Sequence, residues 1–393
     1  MICLPNTVME KNKSELRLTM LTLIRVVLNT AHRMIYPFLA VFARGLGVDV
    51  SAVSALVANR ALFGAATPFI FPFLESRGRK FGMALGLGLF IIGMTLVALS
   101  PSLTTLGIAL ALAMVGKAFF DPSVIAYLAD NSPYERRGWV TALSEFAWSL
   151  SGMVGVPLMG FLIAKLGWNS PFVSLGLLGI FSLAAILFLI QRAHPVEPHK
   201  DGALGNVRAI ATSTPVLAAL SIGLCAVMAN EMVNLIFGVW LEDSFQLQIA
   251  ALAGASAIIG LSELGGEGLV ALFADRLGKV RATGLGIVVN CAAALWLPVL
   301  GRTEVGALIG LFFFYISFEF TIVSQIPLMS EVMPKARATT LSFNAAAHSL
   351  GRALGALSAP GLYSLGFTAV TGAAILMNLL ALAAVWYVSR HHE

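Results

Sequence analysis

Apolar runs of eighteen or more residues return along the whole chain, and no other feature limits its fold so tightly. One such run, as a helix, crosses the ~30 Å of hydrocarbon in a bilayer. Many of them in one chain leave no room for a water-soluble domain. Of the 393 residues, 58% are hydrophobic and 11% charged, against about 25% charged in a soluble domain. The formal charge of +5 in such a chain is no nucleic-acid footprint, and no nucleic-acid partner is expected. Cys3, Cys225 and Cys291 make neither a disulfide framework nor a metal spacing, so no metal or cofactor is expected. The first run, from Leu18 to Ala43, lacks a small-residue cleavage site and is expected to remain as a span rather than act as a removable signal.

Twelve spans are predicted, at 18–43, 51–74, 81–100, 103–129, 139–164, 170–191, 214–241, 249–274, 282–300, 305–330, 339–363 and 367–389. The links are short except 192–213, which is polar and rich in Pro, Gly and His. The expected organisation is a six-helix half over 1–191, a cytoplasmic linker over 192–213 and a second six-helix half over 214–393. If the N-terminus is cytoplasmic, seventeen basic residues fall on that side and only Arg44, Lys165 and Arg302 on the other. Cytoplasmic loops carry such an excess of Lys and Arg. Both termini are therefore expected in the cytoplasm, with the chain multi-pass in a bacterial inner membrane.

An internal repeat supports the six-plus-six division. Leu74-Glu75-Ser76-Arg77-Gly78-Arg79 after the second span parallels Ala274-Asp275-Arg276-Leu277-Gly278-Lys279 after the eighth, 200 residues on. The stretch from Ala129 to Arg136 after the fourth span parallels Ser330 to Arg337 after the tenth, at an offset of 201. Ser149, Leu150 and Gly155 recur as Ser349, Leu350 and Gly355.

A second periodicity bears on function. The third, sixth, ninth and twelfth spans hold no Asp, Glu, Lys, Arg or His. The eleven acidic and basic residues inside spans are Arg25, Arg33, Arg60, Lys117, Asp121, Glu145, Glu231, Glu263, Glu267, Glu319 and Arg352. Each costs about 2.5–3.5 kcal/mol near the bilayer centre unless it faces protein or water. Every third helix can thus face lipid while the other eight enclose something polar.

In these features the chain resembles the major facilitator superfamily over essentially its whole length. The superfamily's loop signature, roughly G-x-L-a-D-r-x-G-r-k, appears as Phe71 through Lys80, with Glu75 as the acid, then Gly78, Arg79 and Lys80; Phe71 replaces the leading glycine. The second-half copy keeps Asp275, Arg276 and Gly278. The resemblance implies two pseudo-symmetric six-helix halves that rock around a midplane site, an all-α polytopic membrane fold. It also implies a gating role for these loops, the acid capping a neighbouring helix N-terminus; a positive-inside anchor is the alternative. The fifth span resembles the superfamily's antiporter signature G-x-x-x-G-P-x-x-G-G. Gly152, Pro157 and Gly160 match, and Val156 and Phe161 depart from it. The match implies export by antiport, and helix packing by small residues explains the same glycines.

Within the spans the polar residues form stripes. Arg25, Asn29, His32, Arg33 and Tyr36 share one face of the first helix, and Asn344, His348 and Arg352 one face of the eleventh. Glu145, Trp148, Ser149 and Gly152 share a face of the fifth, and Glu231 and Asn234 one of the seventh. Lys117 and Asp121 are an i, i+4 pair ahead of Pro122. Glu267 and Glu263 lie ~12 and ~18 Å along the helix from Asp275, stacked one turn apart. Two carboxylates so placed in low dielectric resist ionising together. Either they carry a proton, or they are held in a permanent salt bridge by Arg352 or another basic residue. The charges inside the first half sum to +2 and inside the second to −3. Either the two walls attract and help close a gate, or they hold opposite ends of a zwitterionic or amphiphilic substrate.

No G-x-x-x-x-G-K-[ST], H-x-x-x-x-D, G-x-S-x-G or H-E-x-x-H occurs, so neither direct ATP drive nor a membrane acyltransferase, hydrolase or protease is expected. The expected protein is a monomeric secondary transporter, not an enzyme. Its expected partners are a small-molecule substrate, protons as the coupling ion and the lipid bilayer. Proton-coupled efflux is the leading reading; a lipid or lysolipid transporter, or a proton-coupled importer on the same fold, is the alternative.

Overall fold

A computed structural model describes residues 5–66, 77–131, 146–190, 209–210, 212–334 and 337–391. Its helices are α1 (Pro5–Arg33), α2 (Leu39–Leu46), α3 (Val50–Ala65), α4 (Arg79–Leu99), α5 (Leu103–Asp130), α6 (Phe146–Leu166), α7 (Ser170–Leu189), α8 (Thr214–Phe245), α9 (Ile249–Leu277), α10 (Lys279–Leu300), α11 (Glu304–Val332), α12 (Arg337–Tyr363) and α13 (Phe367–His391). They fall on the twelve predicted spans, α1 and α2 together making the first. Among the described residues nine helices are long and apolar enough to cross a membrane, or ten if the bent pair α2 and α3 is one span. Neither α1 nor α12 is among them; these two carry the longest polar stripes, which lower their hydropathy.

Two spans depart from the continuous helices that their apolarity predicts. The first breaks between Arg33 and Leu39, where Pro37 has no N–H to donate and biases Tyr36 away from helical backbone. Beyond the break α2 ends at Gly47, whose φ of 67° is left-handed, and α3 leaves at 115° to α2. In the fifth span the turn Ser151–Gly155 widens to a π-helix just ahead of Pro157. Proline cannot bond the carbonyl four residues back, and a π-turn is a common way to absorb that mismatch.

The repeat recurs in the geometry. Gly78 precedes α4 with φ 87° and ψ 154°, and Gly278 precedes α10 with φ 79° and ψ 145°. One residue on, Arg79 pairs with Asp130 at 3.6 Å and Lys279 pairs with Glu331. Both pairs join the start of one span to the end of the next, at offsets of 200 and 201.

The first six and last six spans meet through small residues. A Cβ at Gly238 on α8 would lie 2.6 Å from the Pro37 carbonyl oxygen, so α8 packs directly on the break in the first span. On α9, a Cβ at Gly260 would lie 2.8 Å from Met153 N and 2.9 Å from Ser149 O of α6. Large apolar side chains point outward from α7, α10 and α13: Phe188 is 87% exposed, Leu295 63% and Trp386 57%. These belong to the charge-free sixth, ninth and twelfth spans, which thus supply the lipid face.

Away from the lipid face, α10 and α13 carry a buried polar contact. Asn290 Nδ2 donates to Phe314 O at 2.7 Å and to Ser317 Oγ at 3.0 Å, and Asn378 Nδ2 donates to Asn290 Oδ1 at 2.7 Å. Asn290→Leu orphans the Asn378 amide, at a cost of about 1–3 kcal/mol when buried unsatisfied, while Phe314 O keeps Ser317 Oγ at 3.0 Å. The expected result is a clear fall in the thermal unfolding midpoint in detergent. Asn290→Leu/Asn378→Leu should recover part of it. An unchanged midpoint for the single variant would show that the network contributes nothing.

Candidate functional site

Between the two sets of six spans lies a cavity of about 510 Å³, a volume suited to a drug-sized molecule. His32, Arg33, Tyr36 and Trp148 line it from the first set; Glu231, Asn234, Glu263, Glu267, Glu319 and Arg352 line it from the second. At one end it is sealed. Phe38, Leu39 and Phe42 beyond the break in the first span are fully buried, as are Leu235, Ile236 and Leu241 on α8. Outside that plug Arg44 pairs with Glu242 at 2.6 Å. Toward the other end the wall runs down α11 through Ile322 and Val323 to Ile326, which is 46% exposed. The cavity therefore opens toward the end that carries Gly278 and the Lys279–Glu331 pair.

The two sets of spans are joined across the cavity by an ion pair. Arg33 Nη1 lies 2.6 Å from Glu263 Oε2, with both side chains under 10% exposed. Trp148 Nε1 donates to the other Glu263 oxygen at 3.3 Å, and the Arg33 guanidinium sits 4.7 Å from the Trp148 ring centroid. Small residues make room for it: a Cβ at Gly152 would stand 2.8 Å from Arg33 Nη2. In this state the cation beside Glu263 is Arg33, not Arg352.

A second link runs through the Tyr36 hydroxyl. Arg60 Nη2 donates to Tyr36 Oη at 2.9 Å, Tyr36 Oη donates to Glu231 Oε1 at 3.0 Å, and Arg60 Nη1 holds the His32 carbonyl at 2.9 Å. Asn234 Nδ2 donates to Glu231 Oε2 at 3.4 Å, and Asn234 Oδ1 accepts from Tyr315 Oη at 2.7 Å. Glu231, 1% exposed, is therefore held by a phenol and an amide, with no cation in ion-pair contact among the described residues. Tyr315 was not predicted. An uncharged polar residue in an apolar run gives no charge signal, and its place opposite Asn234 is set by tertiary packing.

Two predicted groups lie off the cavity wall. Arg25 Nε pairs with Asp121 Oδ1 at 3.2 Å, and Lys117 bonds both Asp121 and Asn29. This knot ties α1 to α5, with Lys117 Nζ 5.8 Å from the Trp148 ring. On the other side, Gln325 donates to Asn344 Oδ1 and to the Ala219 carbonyl, both at 3.2 Å, and bonds His348 at 3.1 Å. Gln325, 0% exposed, was also not foreseen.

The acidic side of the cavity is crowded by helix approach. Gly266 lies on α9 between Glu263 and Glu267, and a Cβ there would meet Glu319 Cβ at 2.7 Å. The absent side chain lets α11 bring Glu319 against the turn that holds the other two carboxylates. Glu263 takes Arg33, and Glu267 accepts from Ser149 Oγ at 3.5 Å.

Of the signature loops, Gly78 is the N-cap of α4 and Arg79 and Lys80 are its first two residues, with Lys80 Nζ donating to Leu187 O at 2.7 Å. Arg276 is exposed in the last turn of α9 before Gly278. Glu75, Glu145 and the Asp275 side chain lie outside the described residues, as does most of the 192–213 linker. In the antiporter-like stretch, a Cβ at Gly160 would meet Ala253 Cβ at 2.7 Å and Phe38 Cζ at 2.8 Å, while Pro157 follows the π-turn. Gly152 and Gly160 thus both pack α6 across the boundary between the two sets of spans.

A helical membrane bundle with a polar cavity between two similar sets of spans, sealed at one end, is the architecture of an alternating-access carrier. Residues 21–355 match the Major Facilitator Superfamily model. The MFS-type transporter YceJ of Bacillus subtilis is 25% identical over 379 residues, covering 93% of this chain and 94% of that protein. The inner membrane transport protein YdhP of Escherichia coli K12 is 25% identical over 361 residues, covering 90% of each. Among solved structures, a bacterial homolog of the human lysosomal transporter Spinster, in its inward-facing and unoccupied conformation, superposes with a TM-score of 0.77 at 17% identity, covering 96% of this chain and 97% of that one. The chain belongs to the major facilitator superfamily. It is a multi-pass membrane protein with the twelve-helix fold of that family, a secondary transporter of a small molecule and not an enzyme.

Proposed function

We propose that the protein exports a small organic compound from the cytoplasm in exchange for protons. The observation that carries this reading is the convergence of Glu263, Glu267 and Glu319 on one wall of the cavity, with Arg33 paired to Glu263. Carboxylates packed together in low dielectric cannot all ionise, so the cluster is suited to take up and release a proton as its access to water changes. Glu319, which has no hydrogen-bond or ion-pair partner among the described residues, is the proposed carrier. The Arg33–Glu263 pair holds the halves together in this state. Its loosening as substrate and proton exchange is the proposed coupling step.

The charge bias supports placing both termini and the 192–213 linker in the cytoplasm, with six-helix halves over 1–191 and 214–393 on either side of that linker. The open end of the cavity then faces inward, and Arg44–Glu242 closes the outer face. The inner membrane named for the Escherichia coli relative supports the same membrane here.

Proteoliposomes loaded with a pH-sensitive dye test the coupling. Under an imposed proton gradient, a transported compound from a panel of organic cations, anions and zwitterions should drive dye-reported proton flux. Glu319→Gln should abolish that flux at least tenfold while substrate still exchanges across the membrane without a gradient. Glu319→Gln with full compound-driven proton flux would remove this residue from the coupling path. A wild-type protein whose substrate moves with no proton flux would refute proton coupling altogether.

A further inference from the structure

Two ionisable groups on the cavity wall have no direct polar partner among the described residues. Arg352 on α12 and Glu319 on α11 both line the cavity, and among the described residues neither makes an ion pair or a hydrogen bond. The other charged residues on the wall are all engaged: Arg33 with Glu263, Glu231 with Tyr36 and Asn234, Glu267 with Ser149. Asn230 adds a third unmet group. It lines the same cavity, and its Oδ1 is buried without a hydrogen-bond partner.

These three groups together define a ligand chemistry. The two charges are opposite in sign and sit on different helices without touching each other. A ligand with one charge would answer one of them and leave the other unneutralised in a low-dielectric site, where its cost is highest. A ligand with both an acid and an amine answers both. A planar guanidinium can grip a carboxylate or a similar anion with two parallel hydrogen bonds, and a carboxylate and an amide oxygen together suit an ammonium group. The surfaces nearby are aromatic: Tyr36, Phe237, Tyr315 and Phe318.

We propose that the cavity takes an amphoteric aromatic compound, its acidic group on Arg352 and its amine on Glu319 with Asn230. This rests on reading the cavity as the transport site. It also gives the exchange a simple basis: Glu319 can hold a proton or an ammonium group but not both, so each displaces the other.

The test is equilibrium binding at constant pH with no gradient, by calorimetry in nanodiscs, so that proton coupling can fail without touching it. The probes are 4-(aminomethyl)benzoic acid and the longer 4′-(aminomethyl)biphenyl-4-carboxylic acid, each beside its methyl ester (a cation) and its N-acetyl derivative (an anion). For at least one length the zwitterion should bind tenfold or more tightly than both single-charge partners. Arg352→Gln should erase its advantage over the ester and leave ester binding within about twofold, which also reports an intact fold; Arg352→Lys should keep part of the advantage. Glu319→Gln should erase the advantage over the N-acetyl compound. The proposal is overturned if both zwitterions fail to bind or bind no more tightly than their single-charge partners. It is equally overturned if Arg352→Gln weakens all three members of a set alike.

Discussion

Arg33→Gln is expected to lower transport at least a hundredfold, more than any substitution on the cavity wall that leaves this pair intact. Its partner Glu263 would be left as a carboxylate under 10% exposed, with the Trp148 N–H its one remaining polar contact among the described residues. Removing one member of a buried pair costs about 3–5 kcal/mol, because the remaining charge is uncompensated. The glutamate can escape that cost by binding a proton, and the second set of spans then loses its charged hold on the first. The measurement has two parts: initial rates of exchange in proteoliposomes, and the thermal midpoint of the purified protein. Arg33→Gln should lower both. Arg33→Gln/Glu263→Gln removes both charges while keeping the volumes, so its midpoint should return toward wild type while exchange stays lost. An Arg33→Gln protein with wild-type exchange would reduce the pair to a static contact.

Much of this arrangement is legible in the sequence, and the illegible part has specific causes. Apolar runs locate the spans because a helix must stay apolar for about 20 residues to cross. They do not register the break at Met34–Phe38, since Met34, Ile35 and Phe38 are as apolar as an unbroken helix would be. The i, i+4 spacing of Lys117 and Asp121 predicts their contact, which forms. The stripe on the first helix predicts a shared face but not what that face meets. Five basic residues inside spans could have neutralised Glu263, and only the azimuth and depth of α1 against α9 select Arg33. Charge alone also overlooks Tyr315, Gln325 and Asn230, whose neutral polar atoms tie or face the same interior. The repeat was the most informative pattern, because an offset of 200 to 201 returns both the Gly78 and Gly278 caps and their neighbouring ion pairs.

The glycines of α9 show the same limit and provide the sharpest test of the interface. Within Ile249–Leu277, a Cβ at Gly254 or Gly268 would meet nothing within 4 Å, whereas one at Gly260 would press on the backbone of Ser149 and Met153. Sequence cannot separate these positions; the crossing of α6 over α9 does. Backbone atoms cannot swing aside as a side-chain tip can, so Gly260→Val must push the helices apart. Arg33, Trp148 and Glu263 lie within one to two turns of that crossing, and their 2.6 and 3.3 Å contacts do not survive a displacement of an ångström or more. Gly254→Val makes the same chemical change on the same helix with no such contact. The expected result is a loss of exchange of at least tenfold for Gly260→Val, with near-normal exchange for Gly254→Val at equal membrane insertion. Spin labels on α6 and α9 should report a longer, broader separation in the first variant and an unchanged one in the second. Equal behaviour of the two valine variants would mean that this crossing does not hold the closed side of the carrier, and that the Arg33–Glu263 pair is positioned by some other contact.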